Sequence, residues 1–247
     1  MPELAIIGGT GLTSLQGLQI TRKEVVHTPF GEPSGPLTHG VLAGKEVIFL
    51  ARHGYGHTIP PHRINYRANI WALKQTGVGR VAAVAAVGGI RADLPPGRLV
   101  IPDQIIDYTW SRAATFYEEG LTQVTHVDFT APYSAELRTL MIRSCREAGL
   151  DACEDGVYGV TQGPRLETAA EINRMERDGC TLVGMTGMPE AALARELSLE
   201  YAVCAVIANW AAGRGDAGEI SMAEIERNLA VGMERVRTML SRLVPRL

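Results

Sequence analysis

The chain has 247 residues, of which 46% are hydrophobic and 21% charged, and a formal net charge of −3. That balance is ordinary for a globular protein and argues against disorder. There is no basic stripe to suggest a nucleic-acid partner, and no run of about 18 apolar residues to suggest a membrane span.

The length suits one large α/β domain covering residues 1–247, which can bury roughly three quarters of the surface its unfolded chain exposes. Cys145, Cys153, Cys180 and Cys204 are scattered without CxxC spacing, so neither zinc nor a disulfide framework is expected. Free thiols fit a reducing compartment, and the N-terminus MPELAIIGGTG lacks the pattern of a secretory signal. A cytoplasmic location is the expectation.

In chain order, the first predicted strand is 4–7, which runs into Gly8-Gly9-Thr10-Gly11. A glycine turn directly after an apolar strand exposes backbone N–H groups to one anion, and Thr10 adds a hydroxyl. The spacing is not GxGxxG, which disfavours a dinucleotide site; a tight turn with no ligand is the plain alternative. A second strand, 47–51, delivers Arg52 and His53 at its end, with His57 close behind. Strand ends are where α/β sheets bind ligands, and an arginine fork suits phosphate oxygens. A surface salt bridge for Arg52 and a hydrogen-bonded structural role for His53 are the alternatives.

A helix is predicted over 65–76, followed by a strand over 81–87 that ends in Ala85-Ala86-Val87-Gly88-Gly89. Small residues there allow close approach of a sugar or ion, although a plain strand-to-turn transition explains them as well. A short strand over 98–101 and a helix over 134–148 come next. The segment Gly163-Pro164-Arg165-Leu166-Glu167 makes a turn, and Thr168 with Glu171 reads as a capping box opening a helix over 168–178. Glu167 is then either a functional carboxylate or a solvated one just before the helix.

Met185-Thr186-Gly187 precedes a proline-started helix over 189–197. Thr186 offers a second hydroxyl to an anion, and Glu190 serves either as a dipole partner or in function. The last strand, 201–208, ends in Asn209-Trp210-Ala211, and glycines within 213–218 predict a mobile loop. The tripeptide Arg214-Gly215-Asp216 is read as accidental. Ser221 and Glu224 then start the final helix, with Met222, Ile225, Leu229, Met233, Val236, Leu240 and Leu243 at helical spacing. The five strands are almost wholly apolar, which predicts an α/β sandwich with a mixed central sheet covered on both faces.

The motifs IIGGTGL, TPFG, ARHG, NYRANIWALK, DQIID, QGPRLET and GMTGMPE, in that order, resemble the methylthioadenosine phosphorylases of the trimeric purine nucleoside phosphorylase family. The similarity spans nearly the whole chain. It implies a nucleoside phosphorylase (a pentosyltransferase) that takes inorganic phosphate as co-substrate, needs no metal or organic cofactor, and forms a homotrimer. On this resemblance Thr10, Arg52, His53 and Thr186 match the phosphate ligands, and Ala85 and Ala86 lie on the segment that passes phosphate and ribose. Met185 matches a residue packed on the ribose, Leu166 stands where the family stacks a phenylalanine on the base, and His126 matches a histidine reaching the neighbouring subunit's 5′ pocket.

Two departures bear on substrate. At position 85 the family commonly carries a hydroxyl, absent in Ala85. Methylthioadenosine phosphorylases have Asp-x-Asp where this chain has Asn209-Trp210-Ala211. Asn209 instead resembles the asparagine of 6-oxopurine phosphorylases, and Glu167 suits a base with N–H at ring nitrogen 1. Catalytic roles are accordingly expected for Asn209, Glu167 and His53. Met222 stands where the family's methylthio-specific members are apolar, which favours a 5′-methylthio group over a 5′-hydroxyl. The expected substrate is thus a 6-oxopurine carrying 5′-methylthioribose. The alternatives are a methylthioadenosine phosphorylase, a general inosine/guanosine phosphorylase, and a non-catalytic nucleoside-binding module.

Overall fold

The computed structural model describes residues 2–215 and 220–247. Part of the loop expected to be mobile, 216–218, therefore lies outside the described residues. The strands among the described residues are β1 (Leu4–Gly8), β2 (Gln19–Glu24), β3 (Leu37–Leu42), β4 (Lys45–Ala51), β5 (Arg80–Gly89), β6 (Leu99–Val100), β7 (Gln104–Asp107), β8 (Ala152–Cys153), β9 (Val157–Val160), β10 (Leu182–Gly184) and β11 (Glu200–Trp210). The helices are α1 (Tyr66–Gln75), α2 (Ala135–Glu147), α3 (Ala169–Arg177), α4 (Gly187–Glu196) and α5 (Met222–Leu243). None of the described helices is long and apolar enough to cross a membrane.

All five predicted strands and all five predicted helices are present. Among the strands that composition did not reveal, β8 and β10 are short and β2 is polar, its six residues almost all exposed at the sheet edge. An edge strand with one solvated face carries no apolar run to betray it.

The sheet is mixed, in the order β2-β3-β4-β1-β5-β10-β9-β7, with β11 pairing β5 and β6. β1, β4, β5 and β11 run parallel, and β10 joins the end of β5 antiparallel at Gly88 and Gly89. Alternation along the central strands feeds two cores. Val81, Ala83, Ala85 and Val87 of β5 and Tyr201, Val203, Ala205 and Ile207 of β11 face one, under α1 and α4. Ala82, Val84, Ala202, Cys204, Val206 and Ala208 face the other, under α2 and α5. Both faces being buried is why these strands read as unbroken apolar runs.

The helix starts obey local chemistry. The Thr168 hydroxyl accepts the Glu171 N–H while the Glu171 carboxylate accepts the Thr168 N–H, a complete capping box. The Ser221 hydroxyl accepts from the Glu224 N–H at the start of α5. In α4, Met188 is extended (φ −121°, ψ 139°), so the regular helix begins at Pro189 as its sequence predicts.

Candidate active site

The parallel strands end around one cavity of about 380 Å³. Its polar lining comes from Thr10 after β1, Arg52, His53, His57 and Thr58 after β4, Thr186 after β10, Glu167 before α3 and Asn209 near the end of β11. Ala85, Ala86 and Gly88 of β5 lie between them, with Met185, Leu166 and Ala211. Residues spread over some two hundred positions of sequence thus meet at the carboxyl ends of the strands, the ordinary ligand position in such sheets.

The glycine turn owes its shape to crowding. A Cβ at Gly8 would strike the Leu12 carbonyl oxygen, and one at Gly9 would lie 2.5 Å from the Val84 carbonyl oxygen. Only glycine brings the turn this close to β5. Leu12 N–H closes the turn onto the Gly9 carbonyl, and among the described residues the Thr10 and Gly11 N–H groups have no backbone acceptor. These groups are free to point at an anion. The Thr10 hydroxyl lies 3.0 Å from His57 Nε2.

Arg52 is 1% exposed and paired with Glu190, itself fully buried. Its Nε and Nη2 donate to the two carboxylate oxygens at 2.7 Å each, and Nη1 donates to the Val84 carbonyl at 2.9 Å. The Tyr201 hydroxyl donates to Glu190 Oε1 at 2.8 Å. The surface salt bridge considered for Arg52 is therefore a buried, bidentate one, and Glu190 is the counter-ion rather than a simple dipole partner. Burial alone works against the charged guanidinium, yet the Glu190 carboxylate more than offsets it and holds the Arg52 pKa above its usual value. Two N–H groups of the fork remain uncommitted for an anion.

His53 is tied down by the chain beyond it. A carbonyl can only accept, so His53 Nδ1 carries the proton and donates it to the Ile59 carbonyl at 2.8 Å. Burial, followed by the Arg52 charge, pushes the His53 pKa down to about 4. The ring is neutral near pH 7, and its Nε2 is an acceptor. It can accept an O–H and contributes no positive charge.

At the other polar end, the Glu167 carboxylate accepts from the Thr161 hydroxyl at 2.5 Å. Asn209 sits at the bulge between Ile207 and Asn209 where β11 changes register with β5. Its Nδ2 donates one proton to the Trp210 carbonyl at 2.6 Å, leaving one N–H and the Oδ1 acceptor.

Two expected residues stand elsewhere. Trp210 lines a neighbouring cavity with Ala169, Gly213 and Ser221, because the side chain after Asn209 points to the opposite side of the strand. Met222 is 64% exposed and lines neither cavity; the apolar stripe of α5 enters the protein only from Ile225 onward. His126, expected to serve a neighbouring subunit's pocket rather than this one, lies in an exposed stretch and does not line the cavity.

The sequence reading also passed over residues that matter. Ile59, Ile220, Ile225 and Leu229 supply an apolar wall; the helical spacing of 225 and 229 was their only signal. Arg112 clamps two segments of the site from behind. Its Nη1 donates to the Met185 and Met188 carbonyls at 2.8 and 2.6 Å, and its Nη2 donates to the Gln162 carbonyl at 2.8 Å. Backbone acceptors leave no trace in sequence, so nothing marked this arginine.

A mixed sheet between helices, with a glycine turn, a paired arginine and a cavity at the strand ends, fits the nucleoside phosphorylase architecture. The model of the phosphorylase superfamily matches residues 3–245, and the chain belongs to that superfamily. A Xanthomonas campestris protein named "Probable S-methyl-5'-thioinosine phosphorylase" is 58% identical over 226 residues, which are 92% of this chain and 90% of that one. The 6-oxopurine nucleoside phosphorylase of Pyrococcus furiosus is 51% identical over 218 residues, 86% of this chain and 81% of that one. Among solved structures, the methylthioadenosine phosphorylase of Schistosoma mansoni in complex with adenine superposes with a TM-score of 0.94 at 30% identity, covering 99% of this chain and 91% of that one.

Proposed function

We propose that the protein phosphorolyses S-methyl-5′-thioinosine to hypoxanthine and 5-methylthioribose 1-phosphate. The observation that carries this is the joint presence, in one cavity, of an asparagine and a carboxylate at the base end and an apolar wall free of charged side chains. A 6-oxopurine presents an oxygen that gains charge as the base leaves, and a ring N–H. The free N–H of Asn209 donates to that oxygen, its Oδ1 accepts a proton on ring nitrogen 7, and Glu167 accepts the N–H at ring nitrogen 1. Adenine would set a ring lone pair against Glu167, a mismatch of roughly 1–3 kcal/mol, or about ten- to hundred-fold in rate.

The phosphate subsite is built from Thr10, Arg52, His53 and Thr186. A phosphate oxygen attacks the anomeric carbon as its bond to ring nitrogen 9 breaks, and the bonding pair leaves with the base. The proton that phosphate loses on forming the ester balances the one the base takes up. The transition state is a ribosyl cation stabilised by the anion below it and by Asn209 and Glu167 at the leaving group. The reaction requires neither metal nor organic cofactor.

The 5′ end is read by Ile59, Ile220, Ile225 and Leu229, whose apolar surface suits a methylthio group better than a 5′-hydroxyl. Relatives named for methylthioinosine and for 6-oxopurine nucleosides support the base assignment. A homotrimer in the cytoplasm belongs to the same reading: the exposed Leu121 and Val124 flank His126 on a surface where another copy would dock.

The test compares kcat/KM for methylthioinosine, methylthioadenosine and inosine, with and without phosphate. Methylthioinosine should lead by at least ten-fold. A lead for methylthioadenosine refutes the roles of Asn209 and Glu167, and a lead for inosine refutes the apolar 5′ pocket. Turnover without phosphate dependence excludes a phosphorylase.

A further inference from the structure

The Glu167 carboxylate stands in the wall between two cavities, the substrate cavity and a second one of about 500 Å³. Thr161 lines only the second, so its hydroxyl lies behind the carboxylate as seen from the substrate. That hydroxyl has one proton and two acceptors in reach, Glu167 Oε1 at 2.5 Å and the Gly184 carbonyl at 3.3 Å. The short, charge-assisted bond to the carboxylate wins. The Thr161 backbone is held in place, its N–H donating to the Gly184 carbonyl at 2.8 Å and its carbonyl accepting from Arg112 Nη2 at 3.2 Å.

We propose that Thr161 is a specificity-determining residue: by turning Oε1 of Glu167 away from the substrate it leaves a single carboxylate oxygen for the base, so the site selects hypoxanthine over guanine nucleosides. This rests on the reading of Glu167 as the carboxylate that meets ring nitrogen 1. Hypoxanthine presents one N–H on that edge and is satisfied by one oxygen. Guanine adds a 2-amino group beside it, and the two parallel donors need both oxygens turned forward. With Oε1 held back, the amino group is stripped of water and gains no equivalent acceptor, a loss that sites built for hydrogen bonding enforce strongly. Thr161 touches no substrate atom in this scheme and acts through Glu167.

The experiment measures kcat/KM for 5′-methylthioinosine and its 2-amino counterpart, 5′-methylthioguanosine, in the wild type, Thr161→Val and Thr161→Ser. The wild type should favour methylthioinosine by about ten-fold or more. Thr161→Val, nearly the same shape without the hydroxyl, should shrink that ratio by about ten-fold, and Thr161→Ser should restore it, with KM for phosphate unchanged in both. A loss of fold or of packing would lower both substrates together; the ratio reads only the base edge. If Val destabilises the protein, Thr161→Ala, which also lacks the hydroxyl, is compared with Thr161→Ser for inhibition by guanine against hypoxanthine, and the Ala variant should show the same shrunken ratio. An unchanged ratio in Thr161→Val, or a wild type indifferent to the 2-amino group, overturns the proposal. A wild type that prefers methylthioadenosine to both removes the base assignment itself, which is a separate and recognisable failure.

Discussion

Protonating His53 in the folded protein is unfavourable, and this should appear as a pH dependence of stability. Its pKa is about 4 when folded and 6.5 for the free side chain. Between those values the unfolded chain binds a proton that the native protein does not, so stability falls as pH drops from about 6.5 toward 4. With these two pKa values, going from pH 7 to pH 5 removes about 2 kcal/mol, or roughly 4–8 °C in melting temperature for a chain of this size. Lowered carboxylates such as Glu171, at about 2, stay ionised over this window and contribute little. The assay is thermal unfolding at fixed ionic strength over pH 5–7. The perturbation is His53→Asn, whose amide nitrogen overlays Nδ1 and keeps the bond to the Ile59 carbonyl while abolishing titration. The variant should lose most of the slope. An identical slope in the variant would refute the buried, neutral histidine.

Glu190→Gln should destabilise the protein by about 3–5 kcal/mol, seen as a lower urea midpoint at unchanged m, because Arg52 would be left buried without its counter-charge. Gly9→Ala should raise KM for phosphate at least ten-fold, since its Cβ forces the turn off the Val84 carbonyl. Met222→Ala, at a side chain outside the cavity, should change kcat/KM for methylthioinosine less than two-fold; Ile225→Ser should lower it by about ten-fold or more, and the reverse pattern would return the 5′ pocket to Met222.

The central strands were readable because both their faces are buried, and the site was readable where ligand-facing residues sit at the ends of those strands. Thr10, Arg52, His53 and Asn209 do; Thr186 follows the short β10 and Glu167 precedes α3, and turn and helix-start chemistry marked those two instead. What stayed hidden depends on pairing across long stretches of chain. Glu190 was visible as a residue but not as the partner of Arg52, and Arg112 bonds to carbonyls, which every residue possesses. Met222 misled because it keeps the apolar rhythm of α5 one turn beyond the point where the helix has anything to pack against.

The Arg52–Glu190 pair joins residues 138 positions apart. A ribosome releasing this chain from its N-terminus delivers the glycine turn and the arginine early, and the carboxylate that neutralises the arginine only after three quarters of the chain has emerged. Until then the guanidinium has to stay hydrated, and this wall of the cavity has no fixed shape. Loops this long close slowly, and β11 must still slide in beside β5. A nascent chain that stops short of α4 would carry most of the sequence motifs of the enzyme and no binding site, so assembly of the pocket is tied to completion of the fold.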